Sequence, residues 1–195
     1  VLYDEMKQMA DKLLANNDGT TVSLFSEDNF HPLPPEENGN WCGGTGAMLA
    51  FDPDGIAYPC LRYMPSSLGN DVPPIIVGTV DGVFEQPEHK AIKEYLDSIT
   101  RRSQSTDECW ECPVASGCAW CSAWNYQETG SVNCRSTNIC VMHKARALAN
   151  VYYWNKWYKQ NNINKKLKMH LPREEAEKII SPQEYDMLLR LSEED

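Results

Sequence analysis

The stretch CWECPVASGCAWC, residues 109–121, places four cysteines within thirteen positions. No ordinary hydrophobic core requires thiols at that density, so we expect these side chains to bind something. Four further cysteines bring the total to eight: Cys42, Cys60, Cys134 and Cys140. About 4% cysteine is below the roughly 8–10% of short secreted disulfide scaffolds, and a chain of this length buries a core without covalent cross-links. Metal ligation in a reducing compartment, and hence a cytoplasmic protein, is the better prediction.

The composition describes a globular chain. It is 42% hydrophobic and 24% charged with a formal net charge of −10, which argues against nucleic acid as the main partner. No apolar run approaches the roughly 20 residues of a membrane span, and no secretory signal is evident. We therefore predict neither a nucleic-acid nor a membrane partner.

One region departs from this acidic average. Residues 144–170 contain no Asp or Glu but seven basic residues, namely Lys144, Arg146, Lys156, Lys159, Lys165, Lys166 and Lys168. A solvated helix face explains such a run, and a docking surface for an acidic peptide or partner is the alternative.

The first 40 residues resemble the end of a larger domain. Leu2, Met6, Met9 and Leu13 recur at helical spacing, which predicts a helix over residues 2–16. TTVSLF, residues 20–25, is β-branched and predicts a strand. One helix and one strand make no sheet alone, so we interpret them as the last α/β unit of a partial (β/α) barrel whose earlier part is missing.

The cysteines lie among short elements. A Pro- and Gly-rich linker over residues 31–40 leads to MLAFDPDGIAYPC, residues 48–60, where Asp52–Gly55 is a turn signal that predicts a β-hairpin. Cys42 precedes this hairpin and Cys60 lies on its returning strand. We predict a strand at 74–80 and helices at 89–99, from 140 to about 161, and from Pro182 with Ser181 as cap. The cysteine-rich run itself is predicted to be irregular, and the fold class is α+β.

The spacing of the cysteines favours iron–sulfur clusters over zinc. Zinc ribbons place two Cys-x2-Cys pairs about 15–20 residues apart, whereas only five residues separate Cys112 from Cys118. Iron–sulfur proteins use dense cysteine runs, and eight cysteines equal the ligands of two 4Fe–4S clusters.

Two patterns resemble a known family. The first pattern is C-x(9–15)-G-x4-C, which is fitted by Cys42-x12-Gly55-x4-Cys60. The second is C-x2-C-x5-C-x3-C, which is resembled by Cys109-x2-Cys112-x5-Cys118 with a nearby fourth cysteine. Together they resemble the SPASM domain, the auxiliary-cluster domain of many radical S-adenosylmethionine enzymes. The match covers residues 41–140, preceded by a barrel end and linker at 1–40 and followed by a helical extension at 141–195. One departure is that two residues, rather than three, separate Cys118 from Cys121.

The resemblance implies two 4Fe–4S clusters. The first would be held by Cys42, Cys60 and Cys121, with Cys134 as the fourth ligand, or with an open iron that a substrate thiolate could fill. The second would be held by Cys109, Cys112, Cys118 and Cys140.

The resemblance also implies the C-terminal part of a radical S-adenosylmethionine peptide maturase. S-adenosylmethionine and a further 4Fe–4S cluster would bind in the missing N-terminal part, because this chain lacks the C-x3-C-x2-C run. A peptide substrate and a reductant such as flavodoxin or ferredoxin are the expected partners. A thioether cross-link is the preferred reaction, with carbon–carbon cross-linking and oxidation of a side chain to formylglycine, as in anaerobic sulfatase maturation, left open.

Two other functions compete with this one. A zinc-stabilised, non-catalytic interaction module would use its cysteines only to fold, and a free-standing electron carrier would hold clusters without a barrel. No phosphate loop, hydrolase triad or paired carboxylates stand out, and we assign no catalytic residue.

Overall fold

The computed structural model describes residues 1–26, 30–40, 42–69, 71–118 and 120–193. It divides into two compact units, neither of which is continuous in sequence. Unit 1 comprises Val1–Leu33, Glu111–Cys118 and Asn138–Asp195, and unit 2 comprises Pro34–Trp110 and Ala119–Thr137. The domain boundaries predicted after residues 40 and 140 stay a prediction, and Trp41 lies outside the described residues.

The described residues form helices and a small antiparallel sheet, which agrees with the predicted α+β class. In chain order the elements are α1 (Leu2–Asn16), β1 (Ala50–Phe51), β2 (Ile56–Tyr58), β3 (Gly78–Thr79), β4 (Gly82–Val83), α2 (Pro87–Asp97), α3 (Arg101–Gln104), α4 (Asp107–Trp110), α5 (Ser122–Thr129), α6 (Cys140–Gln160), α7 (Arg173–Ala176) and α8 (Pro182–Glu193). Within the ranges described, no helix has the length and apolar character needed to cross a membrane.

Unit 1 is built around α6, against which α1 and α8 both pack. The predicted helix at 2–16 is confirmed, and its buried side chains recur at helical spacing: Tyr3, Met6, Ala10 and Leu14. The predicted helix after Cys140 is confirmed as α6, and it buries Leu148 completely.

Ser181 caps the start of α8, as predicted, while the Glu184 side chain is directed elsewhere. The Ser181 hydroxyl accepts a hydrogen bond from the backbone N–H of Glu184 at 3.2 Å. The Glu184 carboxylate instead accepts hydrogen bonds from Tyr3 at 2.5 Å and Lys7 at 2.6 Å. Glu184 therefore joins α8 to α1.

The strand predicted at residues 20–25 is wrong, because residues 20–26 form turns and irregular structure. Side chains of α6 bind the carbonyl groups that a strand would offer to a sheet. The Arg146 guanidinium donates to Ser23 O and Leu24 O, and Asn150 Nδ2 also donates to Leu24 O at 3.0 Å. The last α/β unit of a barrel is therefore not confirmed.

Unit 2 contains the four-stranded sheet, in the order β1-β2-β3-β4 with all pairs antiparallel. The predicted hairpin is confirmed, with Ala50 opposite Tyr58 and Phe51 opposite Ala57. Gly55 closes its turn at φ +78°, a conformation that suits glycine.

Two predictions in unit 2 need correction. The strand predicted at 74–80 shrinks to Gly78–Thr79, because β2 offers only three residues for pairing, and β4 was not predicted. The helix predicted at 89–99 begins earlier, at Pro87, and ends at Asp97. Leu96 and Ile99 are buried, but Tyr95, which was predicted on the same buried face, is 49% exposed.

The cysteine-rich run is more regular than predicted. It contains α4, then a turn of 3-10 helix at Ala115–Gly117, and then α5, which begins immediately after Cys121.

Replacing the arginine that holds residues 23–26 tests why they form no strand. Arg146 donates to Ser23 O, Leu24 O and the Ser26 hydroxyl. We expect Arg146→Ala to lower the free energy of unfolding by about 1–3 kcal/mol, because a half-buried guanidinium that makes three hydrogen bonds is removed. Urea denaturation followed by circular dichroism measures the change. Arg190→Ala, at an exposed arginine of α8, is the control and should stay within about 0.5 kcal/mol of the wild type. Equal effects of the two substitutions would contradict this account.

Candidate thiol-based metal sites

Three of the predicted ligands come together in unit 2, from three separate stretches of the chain. Cys42 precedes β1, Cys60 follows β2 and Cys121 is the N-cap residue of α5. Cys42 and Cys121 interact, because each thiol is the largest influence on the pKa of the other. Their charges, together with that of Cys60, all act on the phenol of Tyr63, whose pKa is raised first by burial and then by these three thiols. We call Cys42, Cys60 and Cys121 the first thiol group.

A glycine leaves room for two of these sulfurs. A methyl group added at Gly44 would lie 3.1 Å from Cys60 Sγ and 3.6 Å from Cys42 Sγ. The two sulfurs therefore lie next to the space that the Cβ atom of any other residue at position 44 would occupy. The backbone dihedral of Gly44 is not in the left-handed region, so it is space rather than conformation that requires glycine here.

Backbone N–H groups lie near the sulfurs of the first thiol group. The amides at positions 44 and 122 lower the pKa of Cys42, and those at positions 62 and 63 act in the same direction on the pKa of Cys60. Cys121 Sγ accepts from the Trp124 amide at 3.4 Å. Hydrogen bonds of this kind favour the thiolate over the thiol. Because a metal binds the thiolate, these amides suit a ligand set.

The thiol pKa values are divided unevenly within the group. The interaction with Cys121 lowers the pKa of Cys42, and the same interaction raises the pKa of Cys121. Burial raises the pKa of Cys60, against the effect of the nearby backbone amides. A metal that binds these sulfurs would replace their protons.

Two buried hydroxyl groups lie behind Cys42. Tyr63 and Ser122 have no exposed surface, and the Tyr63 hydroxyl donates to Ser122 Oγ at 2.8 Å. Because Ser122 accepts this bond, its own hydrogen can be directed at Cys42 Sγ, which is 3.7 Å away. Sequence reasoning missed both residues, since neither belongs to a metal-ligand pattern.

A buried indole lies beside this group in sequence. Trp120 is 2% exposed, and the guanidinium groups of Arg135 and Arg101 lie over its ring at 4.2 and 5.8 Å from the centroid. Cations over an aromatic face are attracted to its electrons, so the two guanidinium groups stabilise the buried ring. The cations that cover Trp120 were not predicted.

Cys134 differs from the other cysteines of unit 2. It is exposed and lies in the loop after α5. None of the hydrogen bonds and charge effects just described involves it. Its predicted role as a fourth ligand stays a prediction, and so does the open-iron alternative.

The other four cysteines are divided between the two units. Cys109 lies on α4 in unit 2, where its amide donates to the Thr106 hydroxyl at 3.2 Å. Cys112, Cys118 and Cys140 belong to unit 1. Their predicted partition into one cluster is not tested by this division.

In unit 1, Cys112 and Cys140 lie near the same cation. Burial opposes the charge of Lys144, but a hydrogen bond to Glu175 and the thiols of Cys112 and Cys140 outweigh this effect and raise the pKa of Lys144.

The short loop from Cys112 to Cys118 is held in place within unit 1. The Ala115 amide donates to Cys112 O and the Cys118 amide donates to Ala115 O, both at 3.1 Å. Ser116 exchanges hydrogen bonds with His31 through its amide and its hydroxyl, and Val114 is 1% exposed in the core. These contacts fix the chain between two predicted ligands.

The cysteines are not arranged for a single small ion. Within the part of the chain that the structure describes, no three His, Cys, Asp or Glu side chains are close enough to hold one metal ion. Tetrahedral zinc requires Zn–S distances of about 2.3 Å, so its ligands must crowd around one point. An iron–sulfur cluster occupies more space than one ion and suits thiols that are grouped more loosely.

Comparisons with models of protein families, with curated proteins and with solved structures give no significant match to this chain. The interpretation of the two sites therefore depends on the residues themselves.

Substitution of Gly44 tests the first thiol group. Gly44→Ala should displace Cys60 Sγ, and we expect it to lose about half of the metal that the chain carries after anaerobic purification, because one of two sites is disrupted. Gly39→Ala is the matched control, since a methyl group there meets nothing within 4 Å. Metal analysis gives the content, and circular dichroism checks the fold. Equal metal content in the two variants would contradict the predicted site.

The hydroxyl pair gives a second test. Ser122→Ala leaves the buried Tyr63 hydroxyl without its acceptor, so we expect a loss of about 1–3 kcal/mol in the free energy of unfolding. Tyr63→Phe removes the donor instead. The double variant should lose less than the sum of the single effects, by about 1 kcal/mol, because the two hydroxyls interact. Denaturation of all four proteins measures this coupling, and strictly additive effects would show that the hydrogen bond contributes nothing.

Proposed function

We propose that this chain is the auxiliary-cluster part of a radical S-adenosylmethionine enzyme that modifies a peptide. The observation that carries the proposal is the convergence of Cys42, Cys60 and Cys121, which come from three separate stretches and which the family resemblance assigns to one cluster. The backbone donors to each sulfur and the space beside Gly44 support the same assignment.

In this proposal the first thiol group supplies three ligands to a 4Fe–4S cluster. The fourth is Cys134, or a thiolate of the substrate if Cys134 does not bind. Backbone amides and the Tyr63–Ser122 hydroxyl pair orient the sulfurs and set how strongly they donate to the metal. The buried Trp120 side chain would exclude water from the backbone next to Cys121.

The second cluster would be held by Cys109, Cys112, Cys118 and Cys140. Lys144, which lies beside Cys112 and Cys140, would offset part of the negative charge of their thiolates. Bound clusters of this kind would supply electron transfer as the peptide product forms.

The missing N-terminal part would bind S-adenosylmethionine and a further 4Fe–4S cluster. A reductant such as flavodoxin or ferredoxin would supply electrons. A thioether cross-link in a ribosomally made peptide is the preferred product. A cytoplasmic location is part of the same proposal, since the clusters require a reducing compartment.

Anaerobic purification tests the proposal directly. We expect a brown protein with iron and acid-labile sulfide in equal amounts, and a broad visible absorbance that dithionite bleaches. Cys42→Ala, Cys60→Ala and Cys121→Ala should each remove about half of the iron, because they affect one of two clusters. Iron close to zero in oxygen-free material would overturn the proposal.

Cys134→Ala distinguishes the two forms of the first cluster. If Cys134 is a ligand, the variant loses iron to the same extent as Cys42→Ala. If it keeps its iron, the first cluster has an open iron, and an added small thiol should then change its electron paramagnetic resonance spectrum.

A zinc-stabilised interaction module is the second candidate, and one observation favours it. Cys42 and Cys121 act strongly on each other's pKa, so their thiols are neighbours, as two ligands of one zinc ion are. This candidate predicts a colourless protein that carries stoichiometric zinc and unfolds when a chelator removes it.

A further inference from the structure

An exposed cation lies next to the first thiol group. Arg62 belongs to the turn of 3-10 helix, Leu61–Tyr63, that follows Cys60. Among the residues that the structure describes, none forms an ion pair with the Arg62 guanidinium or accepts a hydrogen bond from it. Other arginines differ, since Arg102 and Arg173 are bound to carboxylates of the chain itself. The charge of Arg62 is therefore available to a ligand from outside the chain.

Arg62 lines a cleft of about 330 Å³ in unit 2. The lining side chains are partly polar and partly apolar: Arg62, Ser67 and Gln127, with Leu61, Ala123 and Trp124. None of these described residues is acidic, so the cleft carries a positive charge in a chain whose net charge is −10. A cleft of this kind attracts an anion more strongly than the rest of an acidic surface does.

The two walls of the cleft begin at predicted metal ligands. One wall is the turn that follows Cys60, and the other is α5, which follows Cys121. Tyr63 joins them, because its hydroxyl donates to Ser122 Oγ at 2.8 Å across the gap. Arg62 is therefore carried on a backbone that is fixed by its buried neighbour. A ligand bound to Arg62 would lie beside the first thiol group.

The neutral groups around Arg62 suit a carboxylate with apolar neighbours. Trp124 and Gln127 are three residues apart on α5 and thus lie on one face of the helix. The Gln127 amide and the Ser67 hydroxyl add hydrogen-bond donors to the guanidinium, which binds a carboxylate through two parallel hydrogen bonds. Leu61, which is 59% exposed, offers apolar surface to the residues on either side of that carboxylate.

We infer that Arg62 docks an acidic side chain of the peptide substrate, with the residues next to that side chain lying along Leu61 and Trp124. This inference rests on the proposed function, because it names a part of the peptide that the enzyme would modify. A nucleic acid fits the cleft less well, since one guanidinium does not offset the repulsion between a polyanion and an acidic chain.

Three labelled peptides test the inference on anaerobically purified protein. The probe is fluorescein-Gly-Leu-Glu-Leu-Gly-amide, and the same amide with Gln in place of Glu is its neutral control. We expect fluorescence anisotropy to show saturable binding of the Glu peptide and at least about fivefold weaker binding of the Gln peptide, because the bidentate pair is lost. The third peptide is the Gln peptide with a free terminal carboxylate, and it should bind as weakly as the Gln amide.

Substitutions in the cleft have matched controls on α8. Arg62→Gln removes the cation, Gln127→Glu adds a competing carboxylate, and each should weaken binding of the Glu peptide at least about fivefold. Arg190→Gln and Gln183→Glu make the same charge changes at exposed positions that do not line the cleft. They should change binding less than about twofold, because exposed charges are screened by salt.

Arg62→Lys separates the hydrogen-bonding fork from the charge. An ammonium group keeps the positive charge but not the planar pair of donors, so this variant should bind the Glu peptide more tightly than Arg62→Gln and less tightly than the wild type. Binding by Arg62→Lys that is no tighter than that of Arg62→Gln would contradict a role for the charge.

Several results would overturn the inference. They are no binding of the Glu peptide to the wild type, equal binding of the Gln amide, equal losses in the cleft and α8 variants, or tight binding of the peptide with the free terminal carboxylate. Iron content is measured in parallel. Full iron without peptide binding overturns the docking site alone, whereas peptide binding by protein that lacks iron overturns the cluster proposal. Gln127→Glu leaves Arg62 in place, so it still tests the site if Arg62→Gln loses iron.

Discussion

Sulfur atoms that leave water and carry negative charge need hydrogen-bond donors, and unit 2 supplies them from its own backbone. Cys121 Sγ accepts from the Trp124 amide, the amides at positions 44 and 122 lower the pKa of Cys42, and those at 62 and 63 act on the pKa of Cys60 in the same direction. The local structure around each thiol brings these amides close. A glycine follows Cys42, a 3-10 turn follows Cys60, and a helix begins directly after Cys121.

The two sets of cysteines differ in what balances their charge. In unit 2 the donors are mainly backbone amides and buried hydroxyls, whereas in unit 1 an ammonium group lies beside Cys112 and Cys140. A nearby full positive charge stabilises an electron-rich site more than neutral donors do. If both sites bind clusters, the two environments would give them different reduction potentials.

The sequence could predict those parts of the fold whose pattern is local. Helix periodicity located α1 and α6, and the Asp52–Gly55 turn located the hairpin, because each signal is contained within the element itself. The strand at residues 20–25 failed for the opposite reason. Its β-branched residues suit a strand, but Arg146 and Asn150, more than 120 positions away, bind its carbonyl groups. A contact between residues so far apart in the sequence cannot be detected from the local composition.

The candidate sites show the same limit. Cys42, Cys60 and Cys121 could be grouped from the family resemblance, because that family carries cysteines at characteristic separations. The residues that support them could not, since Tyr63 and Ser122 are common residue types whose role depends on burial. The second glycine of Cys42-Gly43-Gly44 was the one available signal. A small residue beside a predicted ligand indicates that another group approaches closely.

The discontinuous units have a consequence for synthesis on the ribosome. All segments of unit 2 have been made once residue 137 is added, whereas α1, which precedes them in the chain, packs against α6, which ends at residue 160. The apolar face of α1, formed by Tyr3, Met6, Ala10 and Leu14, thus stays without its partner while more than a hundred residues are added. Until α6 has been made, the nascent chain exposes an apolar surface of the kind that chaperones bind. Unit 2 can therefore fold before the C-terminal helices of unit 1 have been synthesised.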